Sequence, residues 1–303
     1  MRYLFLHTAY TVLFGFNYER KGDYVVKKKL TFAILGGDKR SLWAAKRLRE
    51  QNFETELFAL ENEKAFLPSD TVRADIVILP MPISRDGVHL FAPESSEPIL
   101  LSDVFRAIPR EAMIFGGNMT GISDERTIDY GRMGAFAVMN AVPTAEGALL
   151  LALQNGKRTV FGMHVGIVGY GKVAFAAAKL FHAVGADVTV FARKAQARAE
   201  AHMMGYTARP ISELAESAGD FELLINTVPA RIFDRELLSK LSEKTNLMDL
   251  ASAPFGLDFE EAAELGVRAV CAPGLPGRFF PETAGRAIAD TVTEILREKE
   301  FLV

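Results

Sequence analysis

The residues best placed to do chemistry are glycines in the middle of the chain. Val165-Gly166-Ile167-Val168 is an apolar run of strand type, and it leads into Gly169-Tyr170-Gly171-Lys172-Val173-Ala174. In a strand–turn–helix unit Gly169 permits the tight turn, Gly171 lets the backbone approach a pyrophosphate, and Ala174 keeps helix and strand close. The opening helix turn offers N–H groups and a positive dipole end to phosphates, with Tyr170, Lys172 and Val173 in the same turn. The context fits, because Phe175 to Val184 continues as a helix and Asp187-Val188-Thr189-Val190-Phe191 reads as a second strand. About 20 residues past the glycines an NAD enzyme places an Asp or Glu on the ribose hydroxyls. Here that position is Ala192, followed by Arg193 and Lys194. No carboxylate is there to repel a 2′-phosphate, and two cations can pair with it, Arg in a bidentate fork. The pattern favours NADP over NAD; the plainer reading is a solvated basic turn.

Other candidates follow from where strands end. Asn226-Thr227-Val228-Pro229 follows a strand over Glu222 to Ile225, at the carboxyl end where open α/β sheets bind ligands. It is expected at the cofactor, with Pro229 shaping the loop beside the nicotinamide-proximal ribose. Asp249 to Ser252 ends the strand Thr245 to Met248, which makes Asp249 and Ser252 candidates for the reaction centre; a strand-ending Asp is also a common turn former. Pro273 and Gly274 open a shaped loop, Gly274-Leu275-Pro276-Gly277, also expected to border the cofactor.

The elements that must position these residues are those of two doubly wound parallel-sheet α/β domains, the second a Rossmann domain binding NAD(P). Leu30 to Leu35 is a strand leading into Gly36-Gly37-Asp38-Lys39-Arg40 and a helix from Ser41 to Gln51. Glu54 to Ala59 and Ala74 to Leu79 read as further strands, and Ile99-Leu100-Leu101, Met113-Ile114-Phe115 and Ala135-Phe136-Ala137-Val138 complete the first domain. Pro143 and Glu146 suit the first turn of a helix, whose continuation from Leu149 to Gln154 is too apolar for a surface position. The final helix, Pro281 to Lys299, carries Ala284, Ile288, Val292 and Ile295 on one face and is expected to return to the first domain. The division expected is therefore 28–140 with 282–303 for the first domain and 141–281 for the second.

A chain of 303 residues exceeds one comfortable core, which agrees with two domains. Apolar content of 49%, charged content of 24% and a net charge of −3 describe an ordinary soluble globule, with no sign of nucleic acid or an anionic membrane as partner. The single cysteine, Cys271, excludes an internal disulfide framework and is read as packing at a strand end. The five histidines have no ligand spacing, so no metal is implied. Tyr3 to Phe16 is apolar but too short to span a bilayer, and residues 1–24 read as an extension from an over-extended reading frame.

The joint order of several short segments resembles the A-subunit family of dipicolinate synthases. They are Ile34-Leu35-Gly36-Gly37-Asp38, Pro143-Thr144-Ala145-Glu146-Gly147, Ile225-Asn226-Thr227-Val228-Pro229, Met248-Asp249-Leu250-Ala251-Ser252 and Ala272-Pro273-Gly274-Leu275-Pro276-Gly277. More loosely, the architecture resembles D-2-hydroxyacid dehydrogenases and adenosylhomocysteine hydrolases. The resemblance implies an NADP-dependent oxidation of a dihydrodipicolinate to pyridine-2,6-dicarboxylate, in the cytoplasm of a sporulating mother cell. It also implies a partner, a flavoprotein-like B subunit, and an oligomer is expected. A dianionic substrate needs charge-assisted donors. Arg40, helped by the backbone N–H groups of Gly36 and Gly37, is expected to supply them in the cleft between the domains, with Asp38 orienting Arg40 or a neighbouring amide and with Thr144 and Glu146 at a second helix start. Solvation for Arg40, and helix capping for Thr144 and Glu146, are the alternatives. Hydroxyacid dehydrogenases use a His with an acidic partner, and His164, His182 and His202 do not fall on a loop after a late strand. A cofactor-binding regulatory protein without chemistry is the third reading.

Overall fold

The computed structural model describes residues 19–21, 24–26, 30–67 and 69–302. The apolar Tyr3 to Phe16 segment lies outside them. The chain divides into two compact units, one reaching to Phe136 and resuming at Pro281, the other Ala137–Phe280.

In the first unit a short antiparallel hairpin, β1 (Glu19–Lys21) and β2 (Tyr24–Val26), precedes the sheet. The sheet is built from β3 (Thr31–Leu35), α1 (Lys39–Glu50), β4 (Glu54–Phe58), β5 (Ile76–Ile78), α2 (Leu101–Ala107), β6 (Met113–Gly116) and β7 (Thr127–Asp129). Its five strands are all parallel in the order β4-β3-β5-β6-β7. Side chains alternate along β3, so Phe32 and Ile34 enter a core on one face and Ala33 and Leu35 a core on the other. Burial on both faces explains why the strand reads as an unbroken apolar run.

Two expected strands of this unit are not strands. Ile99-Leu100-Leu101 ends at the start of α2, where Leu101, Val104 and Ala107 are buried at helical spacing. Ala135 to Val138 lies in the first turn of α3 (Gly134–Asn155), with Phe136 buried and Val138 exposed. The edge strand beside β6 is β7, whose Thr-Ile-Asp is only half-buried and so carries little apolar signal.

The second unit continues through α3, β8 (His164–Val168), α4 (Lys172–Ala183), β9 (Asp187–Ala192), α5 (Ala195–Met203), β10 (Thr207–Pro210) and α6 (Leu214–Ser217). It closes with β11 (Leu223–Asn226), α7 (Arg235–Ser239), β12 (Asn246–Asp249), α8 (Phe259–Glu264), β13 (Arg268–Cys271) and α9 (Leu275–Phe279). Its six parallel strands run β10-β9-β8-β11-β12-β13, the 3-2-1-4-5-6 order of dinucleotide-binding sheets. Ala174, Ala177, Ala178 and Phe181 of α4 pack with Val165 and Ile167 of β8 on one face, and Leu237 and Leu238 of α7 pack with Leu224 and Leu247 on the other. The expected loop Gly274 to Gly277 is instead the amino end of α9, entered through a left-handed Gly274 (φ 69°).

The helix around Pro143 differs most from expectation. It does not begin there: α3 is 22 residues long and Pro143 lies inside it. Proline removes one intrahelical donor, and the next residue bonds to the helix's own backbone, Thr144 Oγ1 donating to the Asn140 carbonyl at 2.7 Å. By length and composition α3 could cross a membrane, but 50% of its apolar window is buried inside the protein. The last helix, α10 (Pro281–Glu298), buries Ala284, Ile288, Val292 and Ile295 in the first unit. It crosses α1 so closely at Gly285 that a Cβ there would overlap the Arg40 carbonyl oxygen.

Candidate functional site

Open α/β sheets bind ligands outside the carboxyl ends of their strands, where the strand order reverses. In the second unit that point lies between β8 and β11. Gly169 has φ 102°, and its N–H donates to the Phe191 carbonyl at 2.9 Å, so the chain turns sharply toward β9. A side chain at Gly169 would collide with the Thr227 hydroxyl, which itself donates to the Val168 carbonyl at 2.9 Å. At Gly171, by contrast, a Cβ would meet nothing within 4 Å. Gly171 is the N-cap of α4 and supplies no side-chain cap. Among the described residues no acceptor takes the N–H groups of Tyr170, Gly171 or Lys172. A helix amino end left open in this way suits a pyrophosphate. Lys172 is exposed and Val173 half-buried. Tyr170 packs edge-on to Phe175 with ring centroids 6.0 Å apart, and its buried hydroxyl has no partner among the described residues. Burial raises the pKa of Tyr170, so it remains a neutral donor.

The end of β9 carries Ala192, buried, then Arg193 and Lys194, both exposed. Lys194 is the N-cap of α5, again without a side-chain cap and with no acid in the first turn. These residues could hold a nucleotide phosphate, and nothing anionic occupies the place where an NAD enzyme puts its carboxylate.

The loops after β11 and β12 are tied together by a buried knot. Asn226 and Asp249 are register partners on adjacent strands, and both are fully buried. Asp249 Oδ1 accepts from Asn226 Nδ2 at 2.8 Å and from the Ala251 N–H at 3.0 Å, while Oδ2 accepts from the Gly256 N–H at 2.7 Å. Asn226 also bonds both polar groups of Val228, Nδ2 donating to its carbonyl at 3.0 Å and Oδ1 accepting its N–H at 3.1 Å. Asp249 therefore shapes two loops and does not face solvent as a proton carrier would. Ser252 and Pro273 are exposed, as is Cys271, which is not the packing residue expected. Gly256, which sequence reasoning passed over, is required because a Cβ would overlap the Asn226 amide.

The same topological point in the first unit, between β3 and β5, is filled by the protein itself. Gly36 and Gly37 have positive φ (65° and 99°), but their N–H groups donate to the carbonyls of Phe58 at 2.9 Å and Phe91 at 2.7 Å. They are not free for a substrate, which corrects the expectation for both. The amino end of α1 is capped by Asp38, whose carboxylate accepts the Arg40 N–H at 3.0 Å. The Arg40 side chain lies across the crevice, with Nε and Nη2 each 2.8 Å from Asp38 and Nη2 donating to the Met81 carbonyl at 2.5 Å. Partial burial opposes ionisation of Asp38, but Arg40 outweighs it and holds the carboxyl below the usual carboxylate value. Asp38 thus holds both the Arg40 side chain and its amide, and among the described residues no acceptor takes Nη1. Thr144 and Glu146 belong to the middle of α3, Thr144 buried and Glu146 exposed, so no second helix start exists there.

Two features of the loop after β5 escaped sequence reasoning. Arg85 is exposed, has no carboxylate partner among the described residues, and lies 4.4 Å above the Phe91 ring. Asp86 accepts the N–H groups of Val88 and His89 in a tight turn, which brings its carboxylate 2.7 Å from His89 Nδ1. These bonds hold the Asp86 carboxyl far below its ordinary value. The Asp-Gly pair at 86–87 signalled the turn, but not that a histidine would lie against it. Of the other described histidines, His164, His182 and His202 are all exposed, and His182 lies edge-on to Tyr206 with ring centroids 5.3 Å apart.

Comparison with known proteins covers both units. The profile of the N-terminal domain of the dipicolinate synthase A-subunit matches residues 31–130, and that of the D-isomer specific 2-hydroxyacid dehydrogenase NAD binding domain matches residues 146–254. The A-subunit of dipicolinate synthase from Bacillus subtilis (strain 168) is 32% identical over 286 residues, 89% of this chain and 96% of that protein. The chain belongs to the dipicolinate synthase A-subunit family. Crystal structures from that family agree: the protein from Bacillus halodurans has TM-score 0.78 at 28% identity, covering 89% of this chain and 99% of that one. The Bacillus subtilis protein has TM-score 0.77 at 30% identity, covering 90% and 97%. A transhydrogenase from Sinorhizobium meliloti shares the fold (14% identity, TM-score 0.62, covering 88% and 92%). In this family member the second unit is a nicotinamide-nucleotide-binding domain of dehydrogenase type, and the chain is an oxidoreductase by descent.

Proposed function

We propose that this chain is the NADP-dependent oxidoreductase component of a dipicolinate synthase. It acts in the cytoplasm of a sporulating cell together with a second, B-type subunit. The overall change is loss of a hydride and a proton from a dihydrodipicolinate, giving pyridine-2,6-dicarboxylate, with NADP⁺ as the hydride acceptor. The observation that carries the reading is the open amino end of α4 with basic residues and no carboxylate after β9, in a chain of this family.

In this reading Gly169, Tyr170, Gly171, Lys172 and Val173 receive the pyrophosphate, and Arg193 and Lys194, beside Ala192, pair with the 2′-phosphate. The loop Asn226 to Pro229 and the residues Ser252, Pro273 and Gly274 border the nicotinamide and its ribose. Aromatisation makes the ring oxidation downhill, so the protein's task is to orient the ring and keep water away. Asp249 contributes by fixing the loops on either side of Ser252, and acts as a positioning residue. Arg85, exposed over the Phe91 ring, and the spare Nη1 of Arg40 offer cationic donors for substrate carboxylates. Turnover tests the reading: the purified chain, combined with its B-type partner, should generate NADPH from freshly made dihydrodipicolinate. Binding of NADP without turnover would favour a regulatory role. The Asp86–His89 pair supports one other reading, a hydroxyacid dehydrogenase, because that chemistry uses a histidine held by an acid. Oxidation of D-2-hydroxyacids in place of dihydrodipicolinate would establish it.

A further inference from the structure

The loop that follows β9 is held by a residue outside the basic pair. Arg198 lies one turn into α5, and its side chain reaches back along the helix, as long helical side chains do. Nη1 donates to the Ala192 carbonyl at 3.0 Å and to the Arg193 carbonyl at 2.8 Å. Those are the last carbonyl of β9 and the first of the loop. Among the described residues no acceptor takes Nε or Nη2 of Arg198, and no carboxylate lies between Ala192 and Ala199. The nearest acid in sequence, Glu200, is engaged by the Gln196 amide at 2.8 Å.

We infer that Arg198 is the positioning residue for 2′-phosphate selectivity. This rests on the NADP reading above. By drawing both carbonyls to its own guanidinium, Arg198 removes two acceptors that would repel a phosphate and that could serve a ribose diol. The same contacts fix the backbone from which the Arg193 and Lys194 side chains project, and they add a third positive charge beside the uncapped amino end of α5. Both bonds come from Nη1, whose two N–H groups are fixed in the guanidinium plane; a lysine ammonium is a point charge on a flexible stem and does not hold that geometry.

The test is equilibrium titration of NADPH and NADH by nucleotide fluorescence, with melting temperature measured alongside. Samples are the wild type, Arg198→Gln and Arg198→Lys. Arg198→Gln should weaken NADPH binding about tenfold, the scale of one charge-assisted contact, and leave NADH within about twofold. Arg198→Lys should recover only part of the loss. Equal losses for both nucleotides, or a fall in melting temperature with selectivity unchanged, would overturn the inference and leave Arg198 a structural residue. Wild type binding NADH more tightly than NADPH would instead remove the NADP reading itself.

Discussion

At the residue scale, the decisive contrast is between two glycine pairs of similar appearance. Gly36 and Gly37 turn the chain and spend their N–H groups on neighbouring strands and loops, and Asp38 then caps the helix they introduce. Gly169 also turns the chain, but Gly171 borders empty space at an uncapped helix. Gly171 has φ −85°, which any residue tolerates, so Gly171→Val should fold normally and lose nucleotide binding. Unaltered nucleotide affinity in that folded variant would place the pyrophosphate elsewhere. Arg40 belongs to the opposite case. Arg40→Ala would leave the Asp38 carboxylate without its ion pair, and should cost about 1–3 kcal/mol of stability at neutral pH. Because Asp38 is depressed in the folded state, this stabilisation is present above the ordinary carboxylate pKa and fades as pH falls through the folded value. The gap between variant and wild type in urea unfolding should therefore narrow below about pH 4; a gap independent of pH would mean that the pair contributes nothing.

At the element scale, long periodic segments were legible in the sequence and contacts between strand ends were not. The glycine turn, α4 and β9 could be read from residue type because each position obeys a local rule. The Asn226–Asp249 knot could not, since it depends on the register of β11 against β12, which places two residues 23 positions apart side by side. Pro143 misled for a different reason: its residue type suits a helix start, but a proline inside a long helix forfeits only the bond to the carbonyl four residues back, that of Met139, and here the helix continues through it. Removing the centre of the knot should be costly. Asp249→Ala removes the acceptor of three buried bonds, leaving the Ala251 and Gly256 N–H groups unpaired and Asn226 Nδ2 with only the Val228 carbonyl, and should destabilise the protein by about 3–5 kcal/mol in chemical unfolding. A loss below about 1 kcal/mol would show that the carboxylate is not needed to hold the loops.

At the scale of the whole molecule, each unit has its own sheet and its own cores, and the last helix closes the first unit by crossing α1 at Gly285. Sequence pattern revealed that helix because Ala284, Ile288, Val292 and Ile295 fall on one face, and revealed the two-sheet architecture because each sheet is covered on both sides. It did not reveal that the first unit fills its own crevice with an ion pair while the second leaves its crevice open. That asymmetry agrees with a nicotinamide-nucleotide-binding second unit, and in the proposed function the residues after β9 set which nucleotide it takes. The most direct test compares NADPH and NADH binding at equilibrium in the wild type and in Arg193→Glu. The account predicts tighter NADPH binding by the wild type, a loss of about tenfold or more for NADPH in the variant, and NADH affinity nearly unchanged. Equal wild-type affinities, or equal losses for the two nucleotides in Arg193→Glu, would contradict it.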